Sequence, residues 1–209
     1  MVIDIMGTIK ETLKFLKNFY HLTDINNLDT ILQDGILSRE RIINNYSYDF
    51  IDLSNKDIQR KRKDLHSYVP LFFADNTPLL YRILTNHDPE TSVLLEIDKH
   101  IFFLKDGVLF SNINAAKNDA EIYSDWKALD QLDWNIIYER KSAMSFYRKG
   151  IRSAEVLIPN IIEPKWIEKI HFWSDCSQEN YKFLRKIVSK AGYDPDEKIE
   201  LDLTLKGIR

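Results

Sequence analysis

The chain has 209 residues, 44% hydrophobic and 29% charged, which suits one sizeable core and excludes general disorder. No apolar run approaches the ~18 residues of a membrane-spanning helix, and Asp4, Lys10, Glu11 and Lys14 interrupt any apolar core of a secretory signal. The net charge of −3 means that a polyanion must land on local basic patches, and the single Cys176 points to a reducing cytoplasm without disulfides or cysteine metal sites.

Thr8 to Glu11 reads as a capping box, and Ile9, Leu13 and Leu16 share one face, so a lead-in helix is expected over residues 1–17. NFYHLT (18–23) predicts a strand. Asp24 then caps a helix carrying Ile25, Leu28, Ile31 and Leu32 on one face, with Gly35 at its C′ position. Residues 38–68 are polar and longer than an ordinary connector, which marks a functional lid or mobile segment. VPLFFA (69–74) predicts a buried strand, and Asn76 or Thr77 caps a helix with Pro78 in its first turn and Leu80, Ile83 and Leu84 facing inward. SVLLEID (92–98) and GVLFS (107–111) are strand candidates, and residues 113–128 are expected to be helical. AEVLIPN (154–160) and EKIHFWS (168–174) predict two further strands, and ENYKFLRKIVSKAG (179–192) an amphipathic helix closed by Gly192. Ile199, Leu201, Leu203 and Leu205 alternate with Glu200, Asp202 and Thr204 as a half-buried strand does. This irregular mixture of helices and strands, with no repeat and no linker, predicts one α+β domain over residues 1–209.

The six glycines are scattered singly, so neither a dinucleotide fingerprint nor a P-loop is present. The five histidines never fall at ligand spacing with one another, which argues against a zinc hydrolase, and no metal is expected. Residues 56–64 carry Lys56, Arg60, Lys61, Arg62 and Lys63 against Asp57 and Asp64. Residues 139–155 repeat the balance with Arg140, Lys141, Arg148, Lys149 and Arg152 against Glu139 and Glu155. Two basic islands in an acidic chain suit a polyanion, although charge counts alone favour two solvated faces.

Three pieces stand out: YHLTDINNLDTILQDGIL (20–37), IQRKR followed by YVPLFFADNTPLLY (58–81), and GIRSAEVLIP (150–159). FSNINAA (110–116) and QLDWNII (131–137) fall between the last two. Together and in this order the five segments, spread over residues 19–175, resemble the DarT family, DNA ADP-ribosyltransferase toxins of bacterial toxin–antitoxin pairs. The resemblance implies an ADP-ribosyltransferase-like split core of two small mixed sheets with surrounding helices and an NAD cleft between them. It also implies NAD as co-substrate, single-stranded DNA as acceptor, a macrodomain antitoxin as partner, and a cytoplasmic, monomeric enzyme.

Position by position, the resemblance makes Glu155 the catalytic glutamate. A carboxylate there would face the oxocarbenium-like charge that develops on the ribose as the bond to nicotinamide breaks, and would help deprotonate the acceptor base. Read alone, Glu155 only begins a strand with its side chain in water. Arg62 matches the catalytic and phosphate-binding arginine, in a pair that reads Lys61-Arg62 here, and Arg60 is a possible substitute. His21 and Thr23 match the residues at the ribose and the nicotinamide amide, and Asn27 and Leu28 those beside the adenosine. Phe72 stands where a tyrosine is frequent and retains stacking on nicotinamide. Asn114 falls near the incoming nucleic acid, with Arg148 and Lys149 assigned to the DNA, while Trp134 is read as core. Residues 38–68 would cover the NAD. The basic, aromatic stretch 140–152, with Phe146 and Tyr147, suits unstacked bases of a single strand. Two other functions compete: the same chemistry on RNA or protein, and a non-catalytic nucleic-acid-binding module that keeps the fold.

Overall fold

Alternating apolar residues after Leu16 build the first strand of a computed structural model that describes residues 14–44, 49–54, 59–60, 63–78, 80, 82, 89–140, 145–173 and 176–202. Strand β1 (Phe19–Asp24) runs into a 3₁₀ turn (Ile25–Asn27) and helix α1 (Leu28–Asp34). The Asp24 carboxylate accepts the Asn26 N–H at 2.9 Å, as its capping role requires. Helix α1 ends at Gly35, whose φ of +94° is a backbone state that favours glycine. A Cβ at Gly35 would also collide with the Ile162 carbonyl, because the chain turns there into β2 (Ile36–Leu37), which pairs with β8 (Ile161–Ile162). Helix α2 (Arg39–Asn44), β3 (Tyr68–Phe72), β4 (Ser92–Ile97), α3 (Ile101–Leu104), β5 (Leu109–Ser111) and β6 (Ile122–Tyr123) follow. Then come α4 (Trp134–Ile137), α5 (Phe146–Ile151), β7 (Glu155–Pro159), β9 (Ile167–Trp173), α6 (Gln178–Lys190), α7 (Pro195–Lys198) and β10 (Ile199–Asp202).

Eight strands form one mixed sheet in the order β10-β9-β4-β1-β3-β7-β5-β6, antiparallel throughout except for the parallel pair β9/β10. The sheet has a weak seam. β1 is registered with β4 from Phe19↔Ile97 to Asp24↔Ser92, but with β3 through Tyr20↔Phe72 alone. The two expected small sheets are thus the halves β10-β9-β4-β1 and β3-β7-β5-β6, joined at that single pair. One face carries the main core, in which Phe19, Leu71, Phe73, Leu95, Val156, Ile158 and Phe172 meet Leu28 and Ile31 of α1 and Leu184 and Val188 of α6. Each such side chain contributes about 1.5–3 kcal/mol when fully buried. The opposite face carries a smaller cluster of Leu22, Phe72, Leu80, Leu94 and Trp173.

The lead-in helix falls outside the described residues up to residue 13, as do Ile83, Leu84, Leu203 and Leu205. Thr77 provides the cap foreseen at Asn76 or Thr77, its Oγ1 accepting the Leu80 N–H at 3.1 Å. Trp134 packs edge-on against Phe73 with centroids 5.3 Å apart, a core position. Residues 113–128 are not the expected helix: turns over 112–120 lead into β6 and then a 3₁₀ segment, Trp126–Gln131. Short polar side chains take the backbone groups that a helix would use. Asn112 Oδ1 accepts the Glu121 N–H at 3.0 Å, Asn114 Oδ1 the Ala116 N–H at 3.0 Å, and Asp125 Oδ1 the Lys127 N–H at 3.0 Å.

Candidate active site

Helix α5 stops at Arg152, whose N–H bonds the Arg148 carbonyl at 3.0 Å, and the chain extends at once into β7. Glu155, the first residue of β7, is registered opposite Phe72, so both side chains lie on the face of the smaller cluster. Its side chain is not in water, as the isolated sequence suggests, but only 1% exposed. A bare carboxylate at that depth would cost several kcal/mol. Two donors offset the cost: Oε2 accepts the Ala115 backbone N–H at 3.0 Å, and Oε1 the Asn114 amide at 3.2 Å. The Glu155 N–H bonds Ser111 Oγ at 3.2 Å, so the segment that failed to become a helix is the one that cradles the carboxylate. Nothing in the sequence signals the Ala115 donor, since it is a backbone group. Its only trace is the FSNINAA string that holds Ser111, Asn114 and Ala115 together.

His21 lies on the other side of the seam, next to Tyr20. Two strand spacings, about 10 Å, separate the Tyr20 and Glu155 backbones across β3. Across the seam, His21 Nδ1 sits 3.0 Å from the Pro70 carbonyl oxygen. A carbonyl only accepts, so Nδ1 carries the proton and Nε2 is left as an acceptor. Burial holds the His21 pKa below its ordinary value, against opposing effects of the Pro70 hydrogen bond and Asp52, and so favours that neutral tautomer. The structure therefore sets Phe72 beside Glu155 and ties His21 to β3 through Pro70, with His21 registered opposite Leu95 of the main core.

Thr23 and Asn27 are both buried, and the Asn27 amide donates to Thr23 Oγ1 at 3.1 Å. The same amide grips the segment after α2 at both backbone atoms of Ile51, donating to its carbonyl at 2.9 Å and accepting its N–H at 3.0 Å. Arg39 pairs with Asp52 and donates to Gln59 Oε1 at 2.9 Å, and the Gln59 carbonyl meets His66 Nε2 at 2.8 Å. The described parts of residues 38–68 are thus docked on the 3₁₀ turn before α1 and on one another, and they include helix α2. Leu28 is fully buried in the main core. Arg62 lies outside the described residues, and Arg60 is exposed.

The second basic island is more neutralised than its charge count suggests. Arg148 forms a 2.6 Å ion pair with Glu139, Arg140 one of 2.7 Å with Asp75, and the buried Arg152 donates to the Asn76 carbonyl at 2.5 Å. Lys149 remains exposed beside Phe146 and Tyr147, whose rings are 81% and 74% exposed. Away from the seam, Glu96, His171 and Glu200 place donor atoms within 4.8 Å of one another on β4, β9 and β10. His171 Nε2 already meets Glu96 Oε2 at 2.8 Å, and Asn18 donates to Glu96 Oε1 at 2.7 Å.

A family model described as ssDNA thymidine ADP-ribosyltransferase, DarT, matches residues 20–204. A DNA ADP-ribosyl transferase of Thermus aquaticus is 26% identical over 167 residues, covering 72% of each chain. A transferase–glycohydrolase fusion protein of Thermosipho africanus is 28% identical over 170 residues, 74% of this chain but 42% of the fusion. The chain thus spans less than half the length of that relative. Thermus sp. 2.9 DarT in complex with ADP-ribosylated ssDNA superposes with a TM-score of 0.76 at 21% identity, covering 90% of this chain and 94% of that one. The same Thermus protein in complex with NAD+ gives 0.72 at 20% identity, over 90% and 96%. A family match over nearly all of the described chain and a shared fold lead to one conclusion: the chain belongs to the DarT family.

Proposed function

We propose that this protein transfers ADP-ribose from NAD to a thymidine base of single-stranded DNA, as the toxin of a toxin–antitoxin pair. One observation carries the reading: a buried carboxylate, Glu155, is held by two aimed donors beside Phe72, one strand from the seam where His21 meets Pro70. In the reaction the bond between ribose C1′ and the nicotinamide nitrogen breaks, its electron pair leaving on nicotinamide. C1′ bonds to an atom of the acceptor base, and the proton lost by that base goes to Glu155. The positive charge that develops on the ribose is stabilised by a carboxylate already fixed in place, which needs no reorganisation at the moment of reaction. His21, neutral with Nε2 as acceptor, takes a hydrogen bond from a ribose hydroxyl, and Phe72 offers a ring to nicotinamide. Thr23, Asn27 and Leu28 border the adenosine side, residues 38–68 cover the NAD, and Arg62 holds its phosphates. Asn114, Arg148 and Lys149 stand on the acceptor side.

A nucleic-acid strand is favoured as acceptor because Phe146, Tyr147 and Lys149 supply exposed rings and a cation shortly before Glu155, as single strands require, and the family description favours DNA over RNA. The fusion of a transferase to a glycohydrolase in Thermosipho africanus supports an antitoxin that removes the mark, of the macrodomain kind. A cytoplasmic site of action fits a DNA substrate and a chain with a single cysteine; no helix among the described residues is long and apolar enough to cross a membrane. Incubation with labelled NAD and three acceptors tests the reading: single-stranded DNA, RNA and a protein extract. Label is expected on thymidine-containing DNA. Label on RNA or protein alone would replace the acceptor, and NAD left intact throughout would reduce the protein to a binding module.

A further inference from the structure

The turn that holds Glu155 is also the turn that supports the exposed rings of α5. Its inner end donates to both oxygens of the carboxylate through Asn114 Nδ2 and the Ala115 N–H. Its own shape is fixed from within: Ser111 Oγ donates to the Ile113 carbonyl at 2.5 Å while accepting the Glu155 N–H, and Asn114 Oδ1 accepts the Ala116 N–H. The Lys117 N–H then closes the turn on the Asn114 carbonyl at 3.0 Å. At the outer end the Lys117 ammonium lies over the Phe146 ring, 4.8 Å from its centroid. The contact is close-packed, since a Cβ on Gly150 of α5 would stand 3.3 Å from Lys117 Nζ and 3.8 Å from Ile113 Cγ2. Only Ala115 and Ala116 therefore lie between Asn114, which orients the carboxylate, and Lys117, which rests on an exposed aromatic ring.

We propose that residues 112–117 form a positioning loop that couples the acceptor surface to the catalytic carboxylate, with Asn114 and Lys117 as positioning residues. Asn114 is assigned to Glu155 by this inference, rather than to the acceptor alone. It rests on the transferase reading above. A base that stacks on Phe146 meets the ring on which Lys117 lies, and any shift of Lys117 is passed through one tight turn to Asn114. Acceptor binding is thereby felt at Glu155.

The test measures NAD consumption with and without a thymidine-containing oligonucleotide, NAD affinity by calorimetry, and the pH profile of turnover. Asn114→Ala is expected to lower kcat 10- to 100-fold in both reactions, with NAD affinity within twofold of wild type. Its acid limb should move to higher pH, because a donor to the charged carboxylate is lost. Asn114→Asp keeps the acceptor for Ala116 and so the turn, but sets a second carboxylate beside Glu155; it should move that limb further and serves if the alanine variant fails to fold. Lys117→Met should lower the ratio of consumption with DNA to that without at least fivefold, and Lys117→Arg, which keeps a cation over the ring, should restore it. A kcat within twofold of wild type and an unmoved acid limb in both Asn114 variants would overturn the positioning role. A wild-type ratio in Lys117→Met would overturn the coupling. Wild-type protein that consumes NAD without marking DNA would instead overturn the acceptor assignment, and the Asn114 variants would still be decided on hydrolysis alone.

Discussion

Glu155→Gln separates catalysis from stability because the site binds a charge that the fold itself does not need. In the wild type, two charge-assisted hydrogen bonds from Asn114 and Ala115 contribute about 1.5–3 kcal/mol each, while taking a carboxylate out of water costs several kcal/mol. The glutamine amide keeps one acceptor, for the Ala115 N–H, and turns an NH₂ group toward Asn114 Nδ2, leaving a donor unmatched at about 1–3 kcal/mol. Relief of the buried charge offsets that loss, so net stability should change by less than about 2 kcal/mol. For a chain of this size that is a Tm shift of less than about 8 °C. The rate falls on another scale: loss of a preorganised stabiliser of developing charge costs on the order of 10²–10³, roughly 2.7–4 kcal/mol in the transition state. Turnover of labelled NAD, with calorimetric melting of the same preparation, reads both. A folded variant with turnover within tenfold of wild type would refute the catalytic role of Glu155. A Tm drop well beyond the stated limit would show that the carboxylate serves the fold.

Elements whose signals are local were legible. Asp24, Gly35 and Thr77 act as caps because each needs only neighbours two to four residues away, and β1, β3, β7 and α6 follow from apolar alternation or periodicity. Residues 113–128 misled for a physical reason: Ala115, Ala116 and Ala120 have high helix propensity, but Asn112 and Asn114 bond backbone groups first. The candidate site was legible only where a side chain carries it. His21 and Glu155 stand in recognisable strings, whereas the Ala115 donor and the narrow β1/β3 seam are properties of paired backbone. Charge counts failed at Arg148 because its partner, Glu139, lies on the far side of a segment whose path the sequence does not give.

Gly35→Ala should destabilise the fold by about 2 kcal/mol or more, since φ is +94° and a Cβ would meet the Ile162 carbonyl; a Tm within 2 °C of wild type would contradict this. His21 has its folded pKa below the unfolded value of 6.5, so the stability its neutral form supplies is complete above that value. As pH falls through and below 6.5 the unfolded chain takes up a proton that the fold refuses, and stability declines. NMR should show the His21 ring titrating below its ordinary value, and a ring that titrates at that value would refute the assignment. The last prediction separates two adjacent cations of α5. Lys149 is exposed, while Arg148 is held by Glu139 through Nη2 at 2.6 Å and Nε at 3.2 Å. A phosphate that meets Lys149 releases a counterion, so log affinity for a single strand should fall against log salt with a slope of about −0.7 for each such contact. Lys149→Ala should flatten that slope by about 0.7. Arg148→Ala should leave the slope in place and act instead on α5, because it removes the cation that faces the half-buried Glu139 carboxylate. If both variants flatten the slope equally, the Arg148–Glu139 pair opens for DNA and both cations contact the strand. If neither does, α5 carries no phosphate and the acceptor is held elsewhere.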